Sequence, residues 1–349
     1  MALSNYLEIK FMLKNILIFI ATLYCYLPCK SQNVVELYYN TINKADSLNY
    51  ISNEKEKALI LYLKAIDLCK NNNLFISSND DILKIQTILA LKDDNVAIND
   101  LFIYMIKRGI NIDEYNNLKN NEFALKPFFK TKYASFIDNK FDSLYKLHIQ
   151  TRNLSLDFRM VSLLTQDQYS RRVLNINGVS RFIASDTIAK LKNFIFNTSD
   201  CEIRNSIVLL IKDSSFLKIN CNTNYSLGLL RILLLHNFFN RELNQTDSSC
   251  SYLKFYNFIE PQIRKLVNIG KFKNLSYAFL IDRANCWGNS DSAKQIYGTH
   301  LDNDKKTLLY PIFDIENVDK RRAEIFLPSL YQASIIEGFK LPKEYIYRK

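Results

Sequence analysis

Glycine and proline are nearly missing from this chain, 7 and 6 among 349 residues, roughly a third of what average usage supplies. Turn-dense β architectures need glycine for positive φ and proline for preset turn angles. A chain so poor in both folds as long helices joined by loops of Asn, Asp and Ser. An apolar content of 48% with 23% charged residues is that of a globular chain. The length accommodates two domains, each burying its own core. The expectation is a mainly α protein.

The net charge of +11 raises the question of an anionic partner. The lysines, however, are spread along the chain and alternate with acids, as in Glu54-Lys55-Glu56-Lys57, which reads as a solvated face. No dense basic run accompanies a nucleic-acid-binding motif, so no nucleic acid is expected as a partner.

The amino terminus sets the compartment. Lys10 and Lys14 precede an apolar run from Ile16 to Leu27, and Pro28-Cys29-Lys30-Ser31-Gln32 follows. A short positive region, an apolar core of about a dozen residues and a polar exit make a secretory signal peptide over 1–32. The core is shorter than the ~20 residues that cross a bilayer as a helix. The protein is therefore expected to be exported, periplasmic or secreted, with cleavage near Ser31 or Gln32. Membrane association is expected only if the segment is retained. Met12 places one lysine directly before the core, and Tyr26-Leu27-Pro28 is a poor approach to a lipid-bearing Cys29.

Cys69, Cys201, Cys221, Cys250 and Cys286 remain beyond that segment. Export permits disulfides, but an odd number leaves at least one thiol unpaired in a monomer and the spacing selects no pair. Without CxxC or paired Cys/His spacing, no metal or other cofactor is expected.

The first half, 33–150, reads as amphipathic helices. Over Glu54 to Asn71, Ala58, Tyr62 and Ala65 fall at i, i+4 and i+7 on one face. Small residues bracketing an aromatic let a neighbouring helix approach closely. Val35 to Leu48 supplies the preceding helix, with Tyr38, Ile42 and Ala45 on one side. This pair resembles a tetratricopeptide repeat. A looser second copy runs over Ile82 to Leu91 and Ala97 to Arg108, its face drawn by Ala97, Leu101 and Tyr104, with Gly109 as a helix stop. Two copies fall below the three or so an independent solenoid needs, so this half should lean on the second. Helical repeats imply a protein or peptide partner. The stretch from Asn111 to Phe136, with Phe123, Pro127, Phe128 and Phe129, reads as a packed connector of short helices.

The second half, 151–349, concentrates polar residues in apolar surroundings. Asp167 and Arg171 stand four apart, with Gln168 beside them, a spacing that pairs them on one helix face. His236 lies in Tyr225 to Phe239, a stretch apolar almost all round, where desolvation can move its pKa. Asp282 and Arg283 interrupt a second apolar helix, Leu275 to Trp287, and buried charges there must find partners. Lys294 to Leu301, a polar turn at Asp302 to Lys306 and Thr307 to Ile312 read as one β-hairpin. A short helix after Asp314 carries Asp319, Arg321, Arg322 and Glu324.

Together these segments resemble the bacterial domain of unknown function 6624 family over roughly 155 to 335. The resemblance rests on Asp167-Gln168 with Arg171, His236, Asp282-Arg283, Gln295-x-Tyr297-Gly298-Thr299 and Val318-Asp319-x-Arg321-Arg322-Ala323. Two positions depart from it: His300 stands where the family usually has glutamine, and Asp213-Ser214-Ser215-Phe216 replaces a Gly-Trp-Pro-like turn. The full expectation is tetratricopeptide-like helix pairs followed by a mostly helical domain with one small β-hairpin.

Two functions fit. In one, the helical half is an interaction scaffold and the second domain binds a small polar or anionic ligand through Gln168, Arg171, Arg283, Gln295, Tyr297 and Thr299. In the other it is a hydrolase with His236 as general acid/base, oriented by Asp167 or Asp282, and no serine or cysteine elbow is present. A metal on His236, His300 and a carboxylate would call for a paired spacing such as HExxH, which is absent.

Overall fold

A computed structural model describes residues 34–72, 74, 79–152, 154–174, 200–212, 224–239, 251–286, 293–302 and 304–347. The signal-like segment 1–32 and the Asp213–Phe216 turn lie outside the described residues.

Helix ends show how a glycine-poor chain punctuates itself. The Asp94 carboxylate accepts from Ala97 N at 3.1 Å. Asn111 and Glu114 form a reciprocal capping box. Ser251 accepts from Lys254 N at 3.1 Å and Ser329 from Gln332 N at 3.2 Å. Besides four glycines, positive φ falls on Asn53, Asp93 and Asp314, residue types that tolerate it, and on Lys306 and Phe326.

The first half comprises α1 (34–46, continued as a π turn over Ser47–Ile51), α2 (Lys55–Asn72), α3 (Asn79–Ala90), α4 (Asn95–Lys107), α5 (Ile112–Asn121) and α6 (Lys132–Thr151). Ala58, Tyr62 and Ala65 of α2 and Tyr38, Ile42 and Ala45 of α1 are all buried in one core running from Val35 to Phe141. Tyr62 donates to Asp46 at 2.5 Å and Lys84 lies 3.1 Å from the same carboxylate, so this buried acid is paired. On α4 the buried face is Ile98, Leu101, Phe102, Met105 and Ile106, rotated from the expected Ala97, Leu101, Tyr104 stripe. Tyr104 stays half-buried because its hydroxyl serves Arg108 at 2.6 Å. The connector is α5 with two 3-10 turns, Phe123–Leu125 and Phe128–Lys130, and Phe128 and Phe129 pack on Phe102. At Gly109 (φ +104°) an added Cβ would sit 2.7 Å from the buried His148 ring; the absent side chain admits the imidazole.

The second half comprises α7 (Leu154–Leu174), α8 (200–212), α9 (Asn224–Asn237), α10 (Tyr252–Asn268), α11 (Asn274–Cys286), strands β1 (Leu301–Asp302) and β2 (Thr307–Leu308), α12 (Val318–Ala323) and α13 (Leu330–Glu337). The fold is mainly helical with one small antiparallel sheet, in which Leu301 faces Leu308 and Asp302 faces Thr307. The hairpin is shorter than the alternation over 294–301 suggested. Gln295 makes a single parallel bridge to Ile312, and 296–300 is an irregular loop because its amides bond to a buried carboxylate and not to a strand.

A second core runs from Leu156 to Leu327. The two halves meet at Phe326, whose carbonyl accepts from Asn43 at 3.2 Å and Asn274 at 3.1 Å. Its ring stacks on Tyr39 at 5.7 Å. The Tyr39 hydroxyl also accepts from Asn274 N at 3.3 Å. Phe326 has φ +62°, costly for a bulky residue, and these contacts from both halves hold it there.

Among the described residues, no helix is long and apolar enough to cross a membrane. Cys69 and Cys286 are buried thiols. Cys201 is disulfide-bonded, its partner outside the described residues.

Candidate functional site

His236 reaches the end of α9, where that helix packs on α7 and α11. Its Nδ1 is 2.5 Å from Asp167 Oδ2 on α7. The carboxylate is fully buried, while the imidazole is 26% exposed. Gln168 Nε2 donates to the same oxygen at 3.0 Å. A buried carboxylate on Nδ1 fixes the ring tautomer with the proton on that nitrogen, leaving Nε2 as the nitrogen able to accept a proton. Beside it, Asn237 is fully buried; its amide donates to Leu233 O at 3.1 Å, and its Oδ1 has no donor among the described residues.

Asp282 and Arg283, about 100° apart round α11, meet different partners. Arg283 Nε donates to Leu235 O at 2.8 Å, satisfying a carbonyl in the last turn of the helix that carries His236. Asp282 faces the loop. Its Oδ1 accepts from Ile296 N at 2.6 Å and Tyr297 N at 2.8 Å, and its Oδ2 from Thr299 N at 2.8 Å and Thr299 Oγ1 at 2.7 Å. Burial pushes the Asp282 carboxyl above its ordinary value, against the pull of these donors. The carboxylate that orients His236 is therefore Asp167; Asp282, the other candidate, holds the loop and has no acceptor direction left for a substrate proton.

The loop residues expected to touch a ligand turn inward. Gln295 is fully buried: its amide donates to Tyr310 O at 2.9 Å and His300 O at 3.2 Å, and its oxygen accepts from His300 N at 2.6 Å. Thr299 is bonded to Asp282, and Tyr297 packs on Tyr277 at 6.2 Å. The polar groups of Gln295 and Thr299 are thus engaged in building the hairpin. Gly298 (φ +71°) completes the turn, and an added Cβ would lie 2.9 Å from Ile312 Cδ1 and 3.1 Å from Leu330 Cδ1. Arg321 fastens the same loop from α12, donating to Ile296 O at 3.1 Å and Asp314 O at 2.9 Å. Arg171 lies on α7, but its side chain is outside the described residues.

His300 is reached from the hairpin side. Its ring stacks on Phe279 of α11 at 4.3 Å, and the Arg231 guanidinium of α9 lies 5.8 Å from that same ring. Burial lowers the His300 pKa; Asp282 opposes this and Arg283 adds to it. Arg283 thus touches the His236 helix on one side and acts on His300 on the other. Arg231 and Phe279 escaped notice in the sequence, although an arginine inside an otherwise apolar helix, one turn before Leu235, was a readable signal. Among the described residues no group of three or more His, Cys, Asp or Glu side chains gathers to hold a metal.

Comparison with known proteins returns no matching family model, curated protein or solved structure.

Proposed function

We propose that the second half carries an acid–base site that acts on a small polar or anionic compound, with hydrolysis as the reaction class. One observation supports this above the others: a fully buried Asp167 at 2.5 Å from a partly exposed His236. In this reading Nε2 accepts a proton from a water or substrate hydroxyl, and Asp167 stabilises the imidazolium that forms. Gln168 donates to the same Asp167 oxygen at 3.0 Å and helps to hold the carboxylate toward the ring. Asp167, Gln168 and His236 are among the residues that carry the resemblance to domain of unknown function 6624.

The test has two arms. Proton NMR should show a downfield Nδ1–H signal that disappears in Asp167→Asn and in His236→Gln. Against a panel of chromogenic phosphate, ester and amide substrates, the mature chain should turn over at least one. His236→Gln should then lose about 10²–10⁴ of the rate with its helical circular dichroism intact. A His236→Gln variant that keeps the rate sinks the assignment, as does a wild-type protein without the downfield proton.

The first half supports a second role as an interaction scaffold. The outward face of α2 presents Ile60, Leu63, Lys64, Asp67 and Leu68, with Ile60 67% exposed. A partner bound there should be lost in Ile60→Glu with the fold unchanged. Deletion of 33–150 is the poorer test, because it uncovers Asn274 and Phe326. We place the protein outside the cytoplasm on the apolar 16–27 segment and the disulfide at Cys201.

A further inference from the structure

Between the halves lies a cavity of about 170 Å³ whose wall carries charges of both signs. Asp46, Asp81 and Lys84 come from the first half, and Lys273, Arg322 and Glu337 from the second. The first-half charges satisfy one another. Lys84 lies 3.1 Å from Asp46 and 3.7 Å from Asp81, and the hydroxyls of Tyr62 and Tyr38 donate to those two carboxylates.

The opposite wall differs. Arg322 is 2% exposed. Its Nε donates to Pro328 O at 2.7 Å and its Nη1 to Tyr297 O at 2.5 Å, yet no hydrogen bond or ion pair among the described residues uses Nη2. Glu337 stands at the rim as the leading charge acting on Arg322, but among the described residues no cation comes within 4.0 Å of it and it makes no hydrogen bond. A buried guanidinium edge and a carboxylate thus face one cavity without touching. Leaving a buried charge incompletely paired is expensive. α12 and α13 hold the two apart, and Arg322 is anchored by its two carbonyls.

We propose that this cavity binds a small zwitterion, an α-amino acid, with its carboxylate on Arg322 Nη2 and its ammonium on Glu337. The charge order matches: guanidinium nitrogens pair well with a carboxylate, and a carboxylate at the rim takes an ammonium. The volume excludes larger ligands, since pockets for drug-sized compounds run about 300–1,000 Å³. Tyr39 and Asn43 of α1 share the lining with Leu327 and Pro328, so the ligand would touch both halves and tighten their junction.

The experiment uses the chain from residue 33 onward, with thermal unfolding and calorimetry against the α-amino acids at about 10 mM, both enantiomers of each. At least one should raise Tm by about 3 °C or more through preferential binding to the folded state. Its deaminated acid and its decarboxylated amine should bind at least about tenfold more weakly. Glu337→Gln, which loses no hydrogen bond but removes a charge that acts on Arg322, should lower the ligand-free Tm only slightly, keep the helical circular dichroism and lose about tenfold in affinity. It should also no longer distinguish the amino acid from its deaminated acid. The proposal is overturned if no amino acid shifts Tm or gives heat, which would leave the cavity to water alone. It is equally overturned if the deaminated acid binds as well, marking a plain anion site, or if Glu337→Gln binds like wild type.

Discussion

Replacing Asp282 with alanine removes one carboxylate that accepts three backbone N–H groups and a hydroxyl. The Tyr297 bond is fully buried, and the other three are partly so. Leaving a buried donor without a partner costs about 1–3 kcal/mol, and water reaching the partly buried donors recovers some of it. Removing the buried carboxylate also relieves its own desolvation. The net expectation is about 3–5 kcal/mol, a large share of the ~5–15 kcal/mol that holds a typical domain. Asp282→Asn keeps one accepting oxygen and turns an amide toward Thr299 N, so it should cost about 1–3 kcal/mol. Thr299→Val deletes only the hydroxyl and should cost about 1 kcal/mol. Urea unfolding followed by helical circular dichroism orders the three variants. Hydrogen exchange should show the amides of Ile296, Tyr297 and Thr299 losing protection first in Asp282→Asn. If alanine costs less than about 1 kcal/mol, or if asparagine is as damaging as alanine, the carboxylate is not the loop's organiser.

Gly298→Ala should destabilise by about 2–3 kcal/mol, from the left-handed backbone and the approach of Ile312 and Leu330; a urea midpoint within error of wild type would contradict the packing. Tyr39→Ala removes the stack on Phe326 and the acceptor for Asn274 N. It should cost about 3–5 kcal/mol, and unfolding that stays as stable as wild type would show the halves are not clasped there. Burial lowers the pKa of both His148 and His300 below 6.5. An imidazole depressed in the folded state favours folding fully above the unfolded value near 6.5, and that contribution is lost as pH falls through the folded pKa. The urea midpoint should therefore drop between pH 7 and 5, and by less in the His148→Gln/His300→Gln double variant; equal drops would rule these two histidines out as the cause.

Legibility followed the range of the forces involved. The buried Ala58, Tyr62 and Ala65 face was readable because helix periodicity is local, whereas the Asn111 and Ser251 caps appeared only in the structure. The face of α4 was misplaced by one residue, since Tyr104 is drawn partly outward by Arg108, a contact that spacing does not rank. Asp282 was flagged correctly as a buried charge needing partners. Which atoms would meet it depended on how the chain returned 14 to 17 residues later.

The sequence by itself determined a mainly helical chain with a small hairpin and a short set of polar residues in apolar surroundings. Only the tertiary structure divided that set. Asp167 and His236 are 69 residues apart and meet at 2.5 Å, whereas Gln295, Tyr297 and Thr299 turn inward to build the loop. Arg322, noted in the sequence without a partner, and Glu337, not noted there, face one cavity with the first half as its other wall. Propensity and periodicity act over a few residues along the chain. The pairing of a buried charge is decided by whatever the fold brings within about 3 Å of it.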